Sequence, residues 1–214
     1  LGVFAAPLLI LLNPAWVPEP LLTASLLMTL LISWREIQEL AWRDLTFSLP
    51  GYLGGAVAAS LVIAVLPLPI AAAASGGLVL LGVILSLMGF RLQTTPIALF
   101  GAGALSGLMS TIASVGGAPM ALIYQGQKSP RVRSTLNGFF TIGTLLSLIS
   151  LAVVGNYQIS DLLRSLALLP GILLGFWASK LSLPNINQQI MQKGLIAVSS
   201  GAGLLIILRA MLGG

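Results

Sequence analysis

The sequence predicts an all-α polytopic membrane protein, a single transmembrane domain over 1–214 made of two repeats of about four segments each, and three observations carry that expectation. Of the 214 residues, 57% are hydrophobic and 7% charged, with ten Lys or Arg against five Asp or Glu. A soluble domain covers itself with roughly a quarter charged residues, so most of this surface cannot face water. The stretches between charges have the length that crosses a bilayer, about 20 residues, and a set of short motifs recurs in order half a chain later. The same composition excludes much chemistry. With no His and no Cys there is no disulfide framework, no thiolate or imidazole metal site, no Cys nucleophile and no Ser-His-Asp triad. Neither a cofactor nor an enzymatic activity is expected. The net charge of +5 is scattered except around residues 128–133, so no nucleic-acid partner is expected. The basic residues read as topology signals at membrane edges, and the lipid bilayer as the surrounding medium.

Eight apolar segments follow in order: 1–12, 21–33, 49–66, 69–90, 96–124, 134–154, 162–179 and 191–212. Segment 1–12 is too short to cross and opens without Met, so the chain is expected to start inside a helix whose beginning is absent. It lacks the basic leader and cleavage site of a signal peptide. Segment 96–124 has the opposite fault. As one helix its 29 residues would rise about 43 Å, beyond a hydrocarbon core of about 30 Å. It contains Ser114-Val115-Gly116-Gly117-Ala118-Pro119, where a glycine pair and a proline predict a helix break. The longest polar stretch, 34–48, is interleaved with Trp and is expected to lie at the interface as a short amphipathic helix. Trp16, Trp34 and Trp42 are expected to be interface anchors.

Laid against itself, the chain shows an ordered duplication between a first repeat, 1–92, and a second, 93–214. Ala6-Pro7-Leu8 matches Ala118-Pro119-Met120, and Pro20 with Thr23-Ala24-Ser25-Leu26 matches Pro130 with Arg133-Ser134-Thr135-Leu136. Leu49-Pro50-Gly51 matches Leu169-Pro170-Gly171, and the tail around Arg91 loosely matches that around Arg209. Pro- or Gly-interrupted segments at corresponding places in two halves point to a secondary transporter whose site lies between repeats. By the same comparison the chain is expected to extend about 15 to 20 residues further at its N-terminus, over the counterpart of residues 114–117.

Lys and Arg decide orientation. If every segment crosses, the basic residues split five and five. If 96–124 instead turns back at 114–117, Arg35, Arg43, Arg91, Lys128, Arg131, Arg133, Lys180 and Lys193 share a side, leaving Arg164 and Arg209 opposite. That bias favours a broken or re-entrant first segment in each repeat, over a long, tilted and kinked helix. One hairpin and three spans make an odd number of crossings, so the halves would be inverted about an axis in the membrane plane. Non-helical backbone at depth is tolerated only against protein or a wet cavity.

The residues Ser114-Val115-Gly116-Gly117-Ala118-Pro119, Pro130, Ser134-Thr135-Leu136-Asn137-Gly138 and Leu169-Pro170-Gly171 with Gly175 resemble the TauE/SafE family of sulfite exporters. The resemblance is clear over 107–175 and fainter over 7–55, where Ala5-Ala6 replaces the glycine pair expected before Pro7. It implies export of sulfite or a related sulfur-containing or carboxylate anion across a bacterial inner membrane.

An anion inside a membrane needs donors without a permanent buried charge, and backbone N–H groups opening a half-helix supply them. Gly116 and Gly117 would let the ligand approach, or merely allow tight helix packing. Ser114 would add a hydroxyl, or bond the preceding turn, and Pro119 fixes the half-helix. Asn137, Thr141 and Thr144 share one face of the next span, with Ser134 and Thr135 before them. An aligned polar stripe faces protein or water, serving either substrate or an interhelical hydrogen bond. In the first half Pro7 and the stripe Thr23, Ser25, Thr29 and Ser33 are the comparable candidates. Lys128, Arg131 and Arg133 would draw anions to a cytoplasmic mouth, or are an ordinary positive-inside cluster. Glu19, Glu36, Glu39, Asp44 and Asp161 all fall in loops or segment ends, so a proton relay through a mid-span carboxylate is not expected, and efflux would follow the membrane potential. A carrier or channel for another solute, or a non-catalytic accessory subunit, are the rival readings.

Overall fold

The computed structural model describes residues 2–36, 39–87, 92–125, 127, 129–182 and 188–211. They are helical throughout, with no strand among them: α1 (Gly2–Leu12), a 3-10 turn (Pro14–Trp16), α2 (Glu19–Glu36), α3 (Trp42–Val65), α4 (Leu68–Leu87), α5 (Pro96–Ala113), α6 (Gly117–Ile123), α7 (Pro130–Val153), α8 (Ile159–Ser182) and α9 (Gln188–Met211). Among the described residues, α3, α4, α5 and α7 are each long and apolar enough to cross a bilayer. Their outward faces carry exposed apolar side chains such as Leu61, Ile97, Phe100 and Val153, the arrangement that lipid requires. Trp42 is 62% exposed at the start of α3, as an interface anchor would be.

Segment 96–124 is broken where the glycine pair and proline predict it. Thr95 caps α5 by accepting the Ala98 N–H, and Pro96 takes the first turn, where its missing donor costs nothing. The helix stops at Ser114, whose φ of 57° is left-handed and whose N–H bonds Ser110 at 2.8 Å. Val115 then donates back to the Met109 carbonyl at 3.3 Å, and α6 starts two residues later. Helix α6 folds back along α5. Met120, Ile123 and Tyr124 share a core cluster with Leu99 and Ala102 from the first turns of α5, and Tyr124 and Thr94 line one cavity.

The helix ends sort into two groups. At one end lie the start of α3, the start of α5, the end of α6 and the start of α7, around a cavity lined by Asp44, Thr94, Tyr124 and Arg131. At the other lie the starts of α2, α4 and α8 and the ends of α3 and α5, around a second cavity lined by Glu19, Ile63, Ser75, Ile112 and Asp161. Arg43, Arg131 and Arg133 sit at the first, the basic end. Arg164, which donates to the Ala15 carbonyl, and Arg209, which donates to the Leu11 carbonyl, sit at the opposite end. Arg35, at the last turn of α2, and Lys180 and Lys193, near the end of α8 and the start of α9, take their helices' basic-end positions. Arg91 and Lys128 lie outside the described residues.

The tightest packing joins α3 to α5. A methyl group on Gly51 would overlap the Phe100 carbonyl, and on Gly55 the Ala104 carbonyl; on Gly103 and Gly107 it would overlap those of Ser48 and Tyr52. Two glycines four residues apart on each helix thus bring the backbones into contact, the usual device for helices that cannot rely on water to drive association. Helices α4 and α9 meet likewise through Gly76 and Gly203. A second cluster, Ala6, Leu21, Val79, Met109, Ala113 and Val115, packs α1, α2 and α4 around the break.

The expected interfacial helix over 34–48 is corrected. Its last seven residues, 42–48, are the first turns of α3, with Leu45 and Ser48 buried, and 34–36 end α2. The amphipathic pattern reflects half-burial against protein, not a separate helix lying on the membrane.

Candidate functional site

The break is walled by hydroxyls. Gly116 rests against α5 at Ser106 and Ser110, where a methyl group would collide with the Ser106 carbonyl, whereas a methyl group on Gly117 would, among the described residues, only touch Phe140 at 3.8 Å. Ser114 is buried and its Oγ donates to the Pro18 carbonyl at 3.3 Å, tying the turn to the chain entering α2. Beside it, Tyr52 Oη, Ser147 Oγ and Thr111 Oγ1 form a buried chain at 2.9 and 2.8 Å across α3, α7 and α5. Ser106 Oγ is fully buried and has no hydrogen-bond partner among the described residues.

Two cavities flank this centre. The basic-end cavity, about 310 Å³, is lined by Asp44, Thr94, Tyr124, Gln127, Ser129, Arg131 and Thr135 among others. Tyr124 donates to Asp44 Oδ2 at 2.6 Å. Burial foremost, and then that bond to the carboxylate, hold the Tyr124 phenol well above its usual range, so the proton stays on the tyrosine. The Ala41 N–H donates to Thr135 Oγ1 at 3.0 Å, and Thr135 donates to the Arg131 carbonyl at 2.7 Å. The opposite cavity, about 230 Å³, holds Glu19, Asp161, Arg164, Asn156, Gln158 and Ser75. Arg164 pairs with Asp161 at 3.1 Å, and Asp161 Oδ2 accepts the Gln158 N–H at 2.8 Å. Glu19 precedes the apolar run of α2; burial, with the Asp161 charge adding to it, pushes its carboxyl up to about 7.

A model of the family described as Sulfite exporter TauE/SafE matches residues 1–206 of the chain. The chain belongs to the TauE/SafE family. No curated protein and no solved structure matches it. Membership and the apolar helices together make this TauE/SafE chain a multi-pass membrane protein of a transporter family.

The structure distributes the candidate residues of this TauE/SafE chain unevenly. Ser114, Gly116, Gly117 and Pro119 lie together at the break, with Pro119 buried. Thr135 is buried at the basic-end cavity, two α7 turns from Thr141, whose hydroxyl donates to the Asn137 carbonyl at 2.8 Å. Asn137 is half-buried on the same helix. Pro7 is fully buried in α1, next to Ala6 of the cluster that holds Val115. Ser25 bonds the Leu21 carbonyl at 2.6 Å, within its own helix. Sequence reasoning missed Tyr52, Thr111 and Ser147 in the centre, and Asp44 with Tyr124 at the basic end. Asp44 and Asp161 are each the third residue of their helix, where an acid complements the helix dipole. That shared placement was a signal available before the fold.

Proposed function

We propose that this chain exports a small oxyanion, sulfite or a related sulfonate or carboxylate, across a bacterial inner membrane by facilitated efflux that follows the membrane potential. The observation that carries the reading is the family match over 1–206. Positive-inside asymmetry supports a cytoplasmic basic end, since Arg43, Arg131 and Arg133 lie there and Arg164 and Arg209 opposite. An inside-negative potential of 100 mV drives a monoanion outward by about 2.3 kcal/mol, and the acidic residues sit at helix ends, away from mid-span. The halves 1–92 and 93–214 are read as an inverted repeat. What supports this is that α2 starts at the opposite end and α7 at the basic end, while α3 and α8 do the reverse. Pro50 and Pro170 also lie inside α3 and α8 alike.

In this reading the substrate passes the break at Ser114, Gly116, Gly117 and Pro119, with Thr135, Asn137 and Thr141 along its path and Pro7 and Ser25 as first-half counterparts. Peptide N–H groups and neutral hydroxyls donate hydrogen bonds to the anion without burying a fixed charge, which would cost several kcal/mol. Purified protein in liposomes tests the reading. Counterflow of sulfite or a sulfonate that disappears on replacing Asn137 or Gly117 supports it. Intact flux in both variants removes the site assignment, and the absence of oxyanion counterflow removes the function. Flux abolished by a protonophore at clamped potential refutes the electrical driving force.

A further inference from the structure

We propose that the basic-end cavity is a loading site for a singly charged oxyanion, with Arg131 as its counter-ion and Asp44 as the group that turns dianions away. The inference rests on the exporter reading only in taking an anion as the cargo. The cavity, about 310 Å³, is roughly ten times the share of liquid volume of one water, so it accommodates a small oxyanion with part of its hydration. Its lining is rich in groups that solvate oxygen: the hydroxyls of Thr94 and Ser129, the amide of Gln127 and the Arg131 guanidinium. Ser129 caps α7 with its oxygen, accepting the Val132 N–H at 3.2 Å, and its own O–H remains to donate.

The charges are arranged differently at the two ends. At the opposite end Arg164 is engaged by Asp161 at 3.1 Å, and Glu19 lines the same cavity. At the basic end Arg131 forms no ion pair with a described carboxylate, and Asp44, the one acid among the described lining residues, is held by Tyr124 at 2.6 Å. A charge-assisted hydrogen bond of that length fixes the carboxylate. Arg131 and Asp44 therefore cancel formally while remaining separate groups. A monoanion meets the guanidinium at the cost of one repulsion from Asp44. A dianion doubles both the attraction to Arg131 and the repulsion from Asp44, while its hydration cost grows as the square of its charge; with Asp44 offsetting the guanidinium, the net attraction does not repay that cost. The opposite cavity, where Arg164 is already paired with Asp161, offers an anion no unpaired guanidinium among its described lining residues and suits release.

The sequence has no Cys, so a Val132→Cys reporter, at a lining residue whose side chain donates nothing to the anion, gives a single labelling site in the cavity. Maleimide labelling of the detergent-purified protein is followed with methanesulfonate, a monoanion, or sulfate, a dianion, at matched ionic strength. Methanesulfonate should slow labelling saturably and sulfate should not. Arg131→Gln should raise the half-protecting concentration by about tenfold or more, as for loss of a charged hydrogen bond, while Arg133→Gln, outside the lining, should change it less than twofold. Asp44→Asn, which keeps an acceptor for Tyr124, should let sulfate protect. Equal protection by both anions in the unsubstituted background, or equal losses in Arg131→Gln and Arg133→Gln, overturns the proposal. The two-anion comparison needs no change at Arg131, so a misfolded Arg131 variant does not rescue it. Protection without liposome flux overturns the exporter reading and leaves the loading site; flux without protection overturns the loading site alone.

Discussion

The α3–α5 contact makes a pair of neighbouring glycines behave in opposite ways. Gly54 and Gly55 are both helical, yet among the described residues a methyl group on Gly54 meets nothing within 4 Å, whereas one on Gly55 overlaps the Ala104 carbonyl. Replacing Gly by Ala in a helix interior stabilises it by about 1 kcal/mol, and Gly54→Ala should show that gain. At Gly55 the gain is set against overpacking, about 1 to 3 kcal/mol. The upper figure applies because the atoms met are backbone of α5 and cannot rotate aside. Gly55→Ala should therefore be destabilised by about 1 to 2 kcal/mol net, roughly a tenfold change in the folded-to-unfolded ratio. Denaturant unfolding in mixed micelles, followed by tryptophan fluorescence, reads both variants on one scale. If Gly54→Ala and Gly55→Ala move the midpoint in the same direction, the close seam does not exist as described.

Ser147→Ala leaves Tyr52 and Thr111 without their shared partner, and should cost about 1 to 3 kcal/mol in the same unfolding assay. Glu19 supplies a pH test. Its carboxyl titrates at about 7 against an ordinary 4.5, so between those values the native state holds a proton that the unfolded chain does not. Its contribution to stability is greatest at low pH and falls as pH rises to 7; thermal melts of Glu19→Gln should lose that slope. Cys introduced at Ala98 and at Lys128 should be labelled from the same face of whole cells, because Thr94 and Tyr124 lie at one end of the molecule; labelling from opposite faces would refute the returning α6.

The break at residues 114–117 was legible because two independent physical limits met there: a segment too long for the bilayer, and a Gly-Gly-x-Pro string whose proline is tolerated best in the first turn of a new helix, where Pro119 stands in α6. The hydroxyl stripe on α7 was legible as well, but it was followed only to Thr144. Ser147, one turn further, is the residue that joins α3 and α5 through Tyr52 and Thr111. Asp44 and Tyr124 were out of reach for a different reason. They stand 80 residues apart, and no periodicity within a helix encodes a bond between the first turn of one element and the end of another. The 34–48 stretch misled because amphipathy states that one side is buried without saying whether lipid or protein buries it.

Because α3 belongs to the first half of the chain and α5 to the second, their interlocked backbones disconnect the mechanical parts of the molecule from its sequence midpoint. Helices α4 and α9 are clasped across the same divide. Any rocking that opens one mouth and shuts the other must carry a body assembled from both halves, and the surfaces that slide lie elsewhere. The glycines decide which helices travel together.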